Sequence, residues 1–97
     1  MATDKSFHEI FLNKINLSKI KTRSMMGEYL VYYDGKVIGG LYDNRLLVKA
    51  SNSSLEKLKG YELVSPYPNA KEMIFIPNIN DIEDIETLFS DMKNDLR

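Results

Sequence analysis

Phe7, Ile10, Phe11, Lys14 and Ile15 follow one another at helical spacing, so an apolar stripe runs along one side of the segment near the chain start. Ser6 with Glu9 three residues later matches a capping box, which predicts a helix beginning there and ending near Leu17. The stretch from Lys19 to Gly27 reads as a link. Tyr29-Leu30-Val31-Tyr32-Tyr33 is then β-branched and aromatic and stops at Asp34-Gly35, a pair suited to a type I′ turn because both central positions need positive φ. A second strand runs from Lys36 to Tyr42, Asp43-Asn44 supplies another tight turn, and Arg45 to Ala50 reads as a third strand. Gly39-Gly40 weakens the second strand and marks either a bulge or a close approach of another group to the backbone.

In the second half, Ser53 and Glu56 stand at capping-box spacing and Gly60 stands where a left-handed helix terminus wants glycine, which predicts a short helix between them. Tyr61 to Ser65 and Glu72 to Ile76 read as strands, joined by a loop at Pro66-Tyr67-Pro68-Asn69 because neither proline can donate to a ladder. Asn80 precedes Glu83 at cap spacing, and Ile82, Ile85, Leu88, Phe89, Met92 and Leu96 line one helical face. The expected fold is therefore α+β and two-layered, in the order α-β-β-β-α-β-β-α, with helices packed on a largely antiparallel five-stranded sheet. Residues 1–97 are expected to form a single domain, since the 97-residue length is short for two cores.

Composition narrows the chemistry. With 43% hydrophobic and 28% charged residues, the chain has the means to bury a core. No run approaches the roughly 20 apolar residues of a membrane helix and no signal peptide is visible, so a cytoplasmic protein without membrane contact is expected. The lack of cysteine excludes disulfides, a thiol nucleophile and cysteine-based metal sites. A net charge of −1 argues against a surface selected for phosphate backbones. Its distribution is uneven, however. Lys5, Lys14, Lys19, Lys21 and Arg23 against Asp4 and Glu9 give the first 24 residues a net of +3, whereas the last turns of the chain are acidic. Such faces are expected to be solvated, with complementarity across the fold or across a homodimer as a further expectation.

His8 is the only histidine, so a zinc site or a Ser/His pair lacks its parts. Asp81, Glu83, Asp84 and Glu86 suit the positive end of a helix and lack the spacing of a calcium loop. The glycines match no phosphate-cradling pattern. No catalytic residue, metal ligand or cofactor is assigned, and no enzyme is expected. Tyr29, Tyr32 and Tyr33 near Lys36, Arg45 and Lys49 could form a platform on which single-stranded bases stack, which, together with the basic N-terminal segment, makes direct nucleic-acid binding an alternative. A small-ligand sensor is a third reading, with a pocket opened at Gly39-Gly40.

The segment Arg23-Ser24-Met25-Met26-Gly27 is expected to be structural: methionines fill irregular gaps between a helix and a sheet, and Gly27 permits a bend. Exposed instead, the same methionines would suit an adaptable partner surface. Here the sequence resembles the N-terminal domain of the TfoX/Sxy family of competence regulators, in which an arginine and a spacer precede Met-Phe-Gly and a strand ending in Asp-Gly-Lys. The matching positions are Arg23, Met25, Gly27, Asp34, Gly35 and Lys36, followed by Leu46-Leu47-Val48-Lys49, Tyr67-Pro68, Met73 and Pro77. Met26 replaces the usual phenylalanine, and Ser65 stands where relatives often carry an aromatic. The helical C-terminal domain of full-length regulators has no counterpart, so a stand-alone N-terminal domain is expected. The resemblance implies a fold like that of secretion chaperones and a non-enzymatic role in regulating competence, DNA transformation or transcription through a protein partner such as a transcription regulator.

Overall fold

Two-residue turns organise the sheet. In the computed structural model, which describes residues 2–96, Met26 and Gly27 take φ of 50° and 87°, and Asp34 and Gly35 take 49° and 84°. Both central residues of each turn thus lie at positive φ, the geometry that matches the right-handed twist of the flanking strands. These turns join β1 (Ile20–Met25), β2 (Glu28–Tyr33) and β3 (Lys36–Leu41), and a turn at Asp43-Asn44 leads into β4 (Leu46–Lys49). The sheet is completed by β5 (Leu63–Val64) and β6 (Met73–Ile76) in the order β1-β2-β3-β4-β6-β5, with every neighbouring pair antiparallel. Six strands replace the five expected. The extra one is β1, which occupies most of the stretch read as a link. Only Ile20 of this strand is buried, so it shows none of the alternation by which a half-buried strand announces itself.

Helices α1 (Lys5–Ile15), α2 (Asn52–Lys57) and α3 (Ile85–Asp95) lie on one side. Phe11 and Ile15 of α1 and Leu88, Phe89 and Met92 of α3 share one core with Ile20, Val31, Tyr33, Ile38, Leu41, Leu46, Val48, Ile74 and Ile76 of the strands. Side chains alternate between faces along each strand. The helix-free face accordingly carries a smaller cluster of Tyr42, Leu47 and Met73 with Val64 and Phe75.

The expected caps are displaced. The first helix is preceded by Asp4, whose side chain makes no capping bond, and it stops at Asn16 in the left-handed region rather than at Leu17. What fixes its start is the chain before it. The Thr3 hydroxyl, 6% exposed, lies 2.6 Å from Glu28 Oε1 and 3.1 Å from the Leu41 carbonyl oxygen, and it accepts the Asn44 N–H. The Asp4 N–H donates to Asn44 Oδ1 at 2.9 Å. In α2 the capping box pairs Ser51 with Ser54, not Ser53 with Glu56. Its next free amide, Ser53 N–H, donates to the Asp95 carboxylate at the end of α3 at 2.7 Å. Asn78, rather than Asn80, caps a single 3-10 turn (Ile79–Asp81), and Asp84 caps α3. Ile82 therefore precedes the last helix instead of belonging to it.

Gly39-Gly40 fulfils both halves of its expectation. The β2–β3 register shifts between Val31 and Tyr32, leaving Ile38 and Gly39 opposite one residue. A Cβ on Gly39 would stand 2.2 Å from the Leu47 carbonyl oxygen, and one on Gly40 would stand 2.5 Å from the Tyr42 ring. Gly39→Ala is expected to destabilise by at least about 2 kcal/mol, because strand backbone cannot step aside. Gly35→Ala meets nothing within 4 Å, so it should cost only about 1 kcal/mol for its left-handed φ. Urea unfolding of the two variants checks the order.

Three carboxyls respond to acid. Lys93, bonded to Asp34 at 2.7 Å, holds the Asp34 pKa below its ordinary 3.8. Bonds from Thr87 lower Asp84, and bonds from Ser53 lower Asp95. A carboxyl with a depressed folded pKa stabilises the fold fully above its unfolded value and loses that contribution as pH falls through the folded one. The urea midpoint should therefore fall as pH drops below about 3.8, and Lys93→Met should flatten that fall by the share of Asp34.

Candidate functional site

The residues singled out from the sequence separate into two groups at opposite ends of β2. The six residues of that strand span about 20 Å at 3.3–3.4 Å each. At one end, Asp34 and Gly35 form the turn, the Asp34 N–H donates to the Lys19 carbonyl at 2.8 Å, and the Asp34 carboxylate holds Lys93 of α3. Lys36 sits opposite Tyr33 at the head of β3. These three residues make a structural turn that also ties down α3.

The other end is different. Met26, expected to fill a gap, is 96% exposed, and Met25 is 38% exposed. A methionine at φ 50° is held in a region that costs an L residue roughly 1–2 kcal/mol, and strain of that kind concentrates at functional positions. Around it, Met25, Met26, Pro66, Tyr67, Pro68, Glu28 and Tyr42 line an open groove with mainly apolar walls. Tyr67 is 59% exposed. Arg23 lies exposed on β1, opposite Leu30.

Rigid bonds lie beneath this exposed surface. The Thr3 N–H donates to the Gly27 carbonyl at 3.0 Å, and Glu28 Oε1 takes both the Thr3 hydroxyl and the Asp43 N–H. Burial, with Tyr67 and Glu28 nearby, pushes the Tyr42 phenol above its ordinary pKa. Thr3, Glu28 and Tyr42 were not singled out from the sequence. Their roles depend on chain segments that meet only in the folded state, and the sole local hint is a glutamate opening a strand.

The three tyrosines do not form one platform. Tyr33 is buried, with its ring 6.1 Å from that of Phe89 and its hydroxyl donating to Glu86. Tyr29 stacks on His8 with centroids 3.9 Å apart, while His8 Nε2 sits 2.7 Å from the Thr22 hydroxyl. Only Tyr32 alternates to the helix-free face. Asp84 and Glu86 are likewise engaged, as the cap of α3 and the acceptor for Tyr33. Among the described residues, no three His, Asp or Glu side chains gather where they could hold a metal, and no helix is long and apolar enough to cross a membrane.

The family model of the TfoX N-terminal domain matches residues 13–80, a stretch that contains all six strands and the turns at Met26-Gly27, Asp34-Gly35 and Asp43-Asn44. The chain belongs to the TfoX N-terminal domain family. It is also 37% identical over 73 residues to the "Uncharacterized 12.7 kDa protein in trpE 5′ region" of Spirochaeta aurantia, a match covering 74% of this chain. The chain spans 64% of that relative's length. No solved structure matches it. The matched stretch also holds α2 and the end of α1, while α3 lies beyond it.

Met26→Asn should raise stability by about 1 kcal/mol, because asparagine tolerates positive φ and is the preferred first residue of an Asn-Gly turn. Thermal and urea unfolding check it; unchanged or lower stability would show that the turn is not strained.

Proposed function

We propose that the protein is a non-enzymatic regulatory module that acts on competence, DNA transformation or transcription by binding a protein partner, with the Met26 turn at the centre of the contact. The observation that carries this reading is Met26 itself, almost fully exposed at a positive φ that favours other residues. A residue that is poor for the fold and bare to solvent is best explained by what it touches outside the chain. Met25 and Tyr67 extend the apolar surface, and flexible methionines suit an adaptable contact. Family membership supports the regulatory half of the proposal.

Direct nucleic-acid binding through the tyrosine sheet has less support, since the tyrosines are divided between two faces. The small-ligand reading has less support: the β4 backbone and the Tyr42 ring crowd the glycines, and the hollow that Gly39 borders with Tyr42, Tyr67 and Met73 lies open at the surface.

A photo-crosslinking residue placed at position 26 and activated in native cells should trap a transcription regulator or an RNA polymerase component. Met26→Asp should abolish the corresponding complex while leaving the fold intact by circular dichroism. Repeated capture of only metabolic or structural proteins would overturn the reading.

A further inference from the structure

The β1 edge adjoins the Met26 turn, and its geometry specifies a kind of partner. This strand pairs with β2 alone, and four of its six residues are exposed. The two-residue turn fixes which peptide groups face inward: Met25 and Glu28 close the hairpin, so Met25, Arg23 and Lys21 bond to β2. The Asp34 N–H bonding to the Lys19 carbonyl continues the same odd-numbered series. Ile20, Thr22 and Ser24 therefore turn their peptide groups outward. Ile20 confirms the direction, since its N–H donates to Leu17 at 3.1 Å. Thr22 and Ser24 each present an N–H and a C=O to solvent, spaced as an added strand requires.

The side chains choose the occupant. Thr22 meets His8 on the helix side, so alternation places Lys21, Arg23 and Met25 on the helix-free face. Both cations are exposed, and the one ion pair among the described residues is Lys93 with Asp34. A second copy of this chain is disfavoured. Antiparallel pairing through the outward groups sets Lys21 opposite Arg23, or one of the two opposite itself, and like charges directly across a ladder are destabilising. An extended strand with acidic residues at alternate positions satisfies both the peptide groups and the charges.

Resting on the interaction reading above, we infer that β1 is a docking edge for an extended acidic segment of a partner protein. The segment adds a seventh strand through Thr22 and Ser24 and sets carboxylates against Lys21 and Arg23, running alongside Met25 toward the Met26 turn.

The probe is a capped ten-residue peptide of alternating glutamate and valine, with lysine replacing glutamate in a control. The acidic peptide should bind with Kd at or below about 1 mM, and saturation should slow amide exchange of Thr22 and Ser24 by about tenfold or more. Lys21→Glu with Arg23→Glu, both exposed positions, should transfer binding to the lysine peptide without altering the circular dichroism spectrum. Absence of binding, or protection elsewhere, would overturn the inference. So would concentration-dependent protection of the same amides without peptide, which identifies a second copy, or binding of single-stranded DNA lost in the double variant. Crosslinking at position 26 separates the two readings: a regulator still trapped by the Lys21/Arg23 double variant removes the acidic edge while leaving the interaction module standing.

Discussion

A two-residue turn with both central residues at positive φ allows its flanking strands one register, and at Met26-Gly27 that register decides most of what the surface displays. It sets Met25 opposite Glu28, which brings the Glu28 carboxylate to Thr3 and to the Asp43 amide. The same parity sends Ile20 into the core and Thr22 to His8, and leaves Lys21 and Arg23 on the helix-free face. A slip of one residue would exchange the faces, burying two cations and exposing Ile20. The turn at Asp34-Gly35 repeats the constraint between β2 and β3, so β2 is pinned at both ends.

How much of this was readable depended on whether the determinant was local. Asp34-Gly35 was legible because its residues are themselves those a type I′ turn prefers. Met26-Gly27 makes the same turn and was not, because methionine in the first position gives no such signal. β1 escaped for a related reason: an edge strand with one buried residue has no hydrophobic rhythm. The helix ends failed where distant groups complete them. Asp95 finishes the start of α2, and Thr3 with Asn44 fixes the approach to α1. For the site, the residue types in Arg23–Gly27 were noticed, but exposure is a tertiary property, so methionines that fit a gap as readily as a surface were assigned to the gap. Asp34, Gly35 and Lys36 proved to belong to the fold's own turn.

The stretch that matches the family carries most of the core, and α3 adds to that core from beyond it. The TfoX N-terminal match ends at residue 80, while Leu88, Phe89 and Met92 of α3 are all fully buried under the sheet. Helix α3 thus completes a core that the matched stretch mostly supplies. This arrangement fits a scaffold in which helices secure one face and leave the opposite face, one strand edge and one turn available.

Gly39 and Met26 are opposites in what sequence drift can do to them. Any replacement at Gly39 adds a Cβ that collides with the β4 backbone, so that position has no neutral neighbour in sequence space. Met26 touches little and sits where asparagine or glycine would rest more easily, so drift acting on the fold alone would carry methionine away. A lineage that keeps it is being selected by something outside the chain. The contrast turns two backbone angles and one interatomic distance into a way of telling, from related genomes alone, which lineages still use this surface.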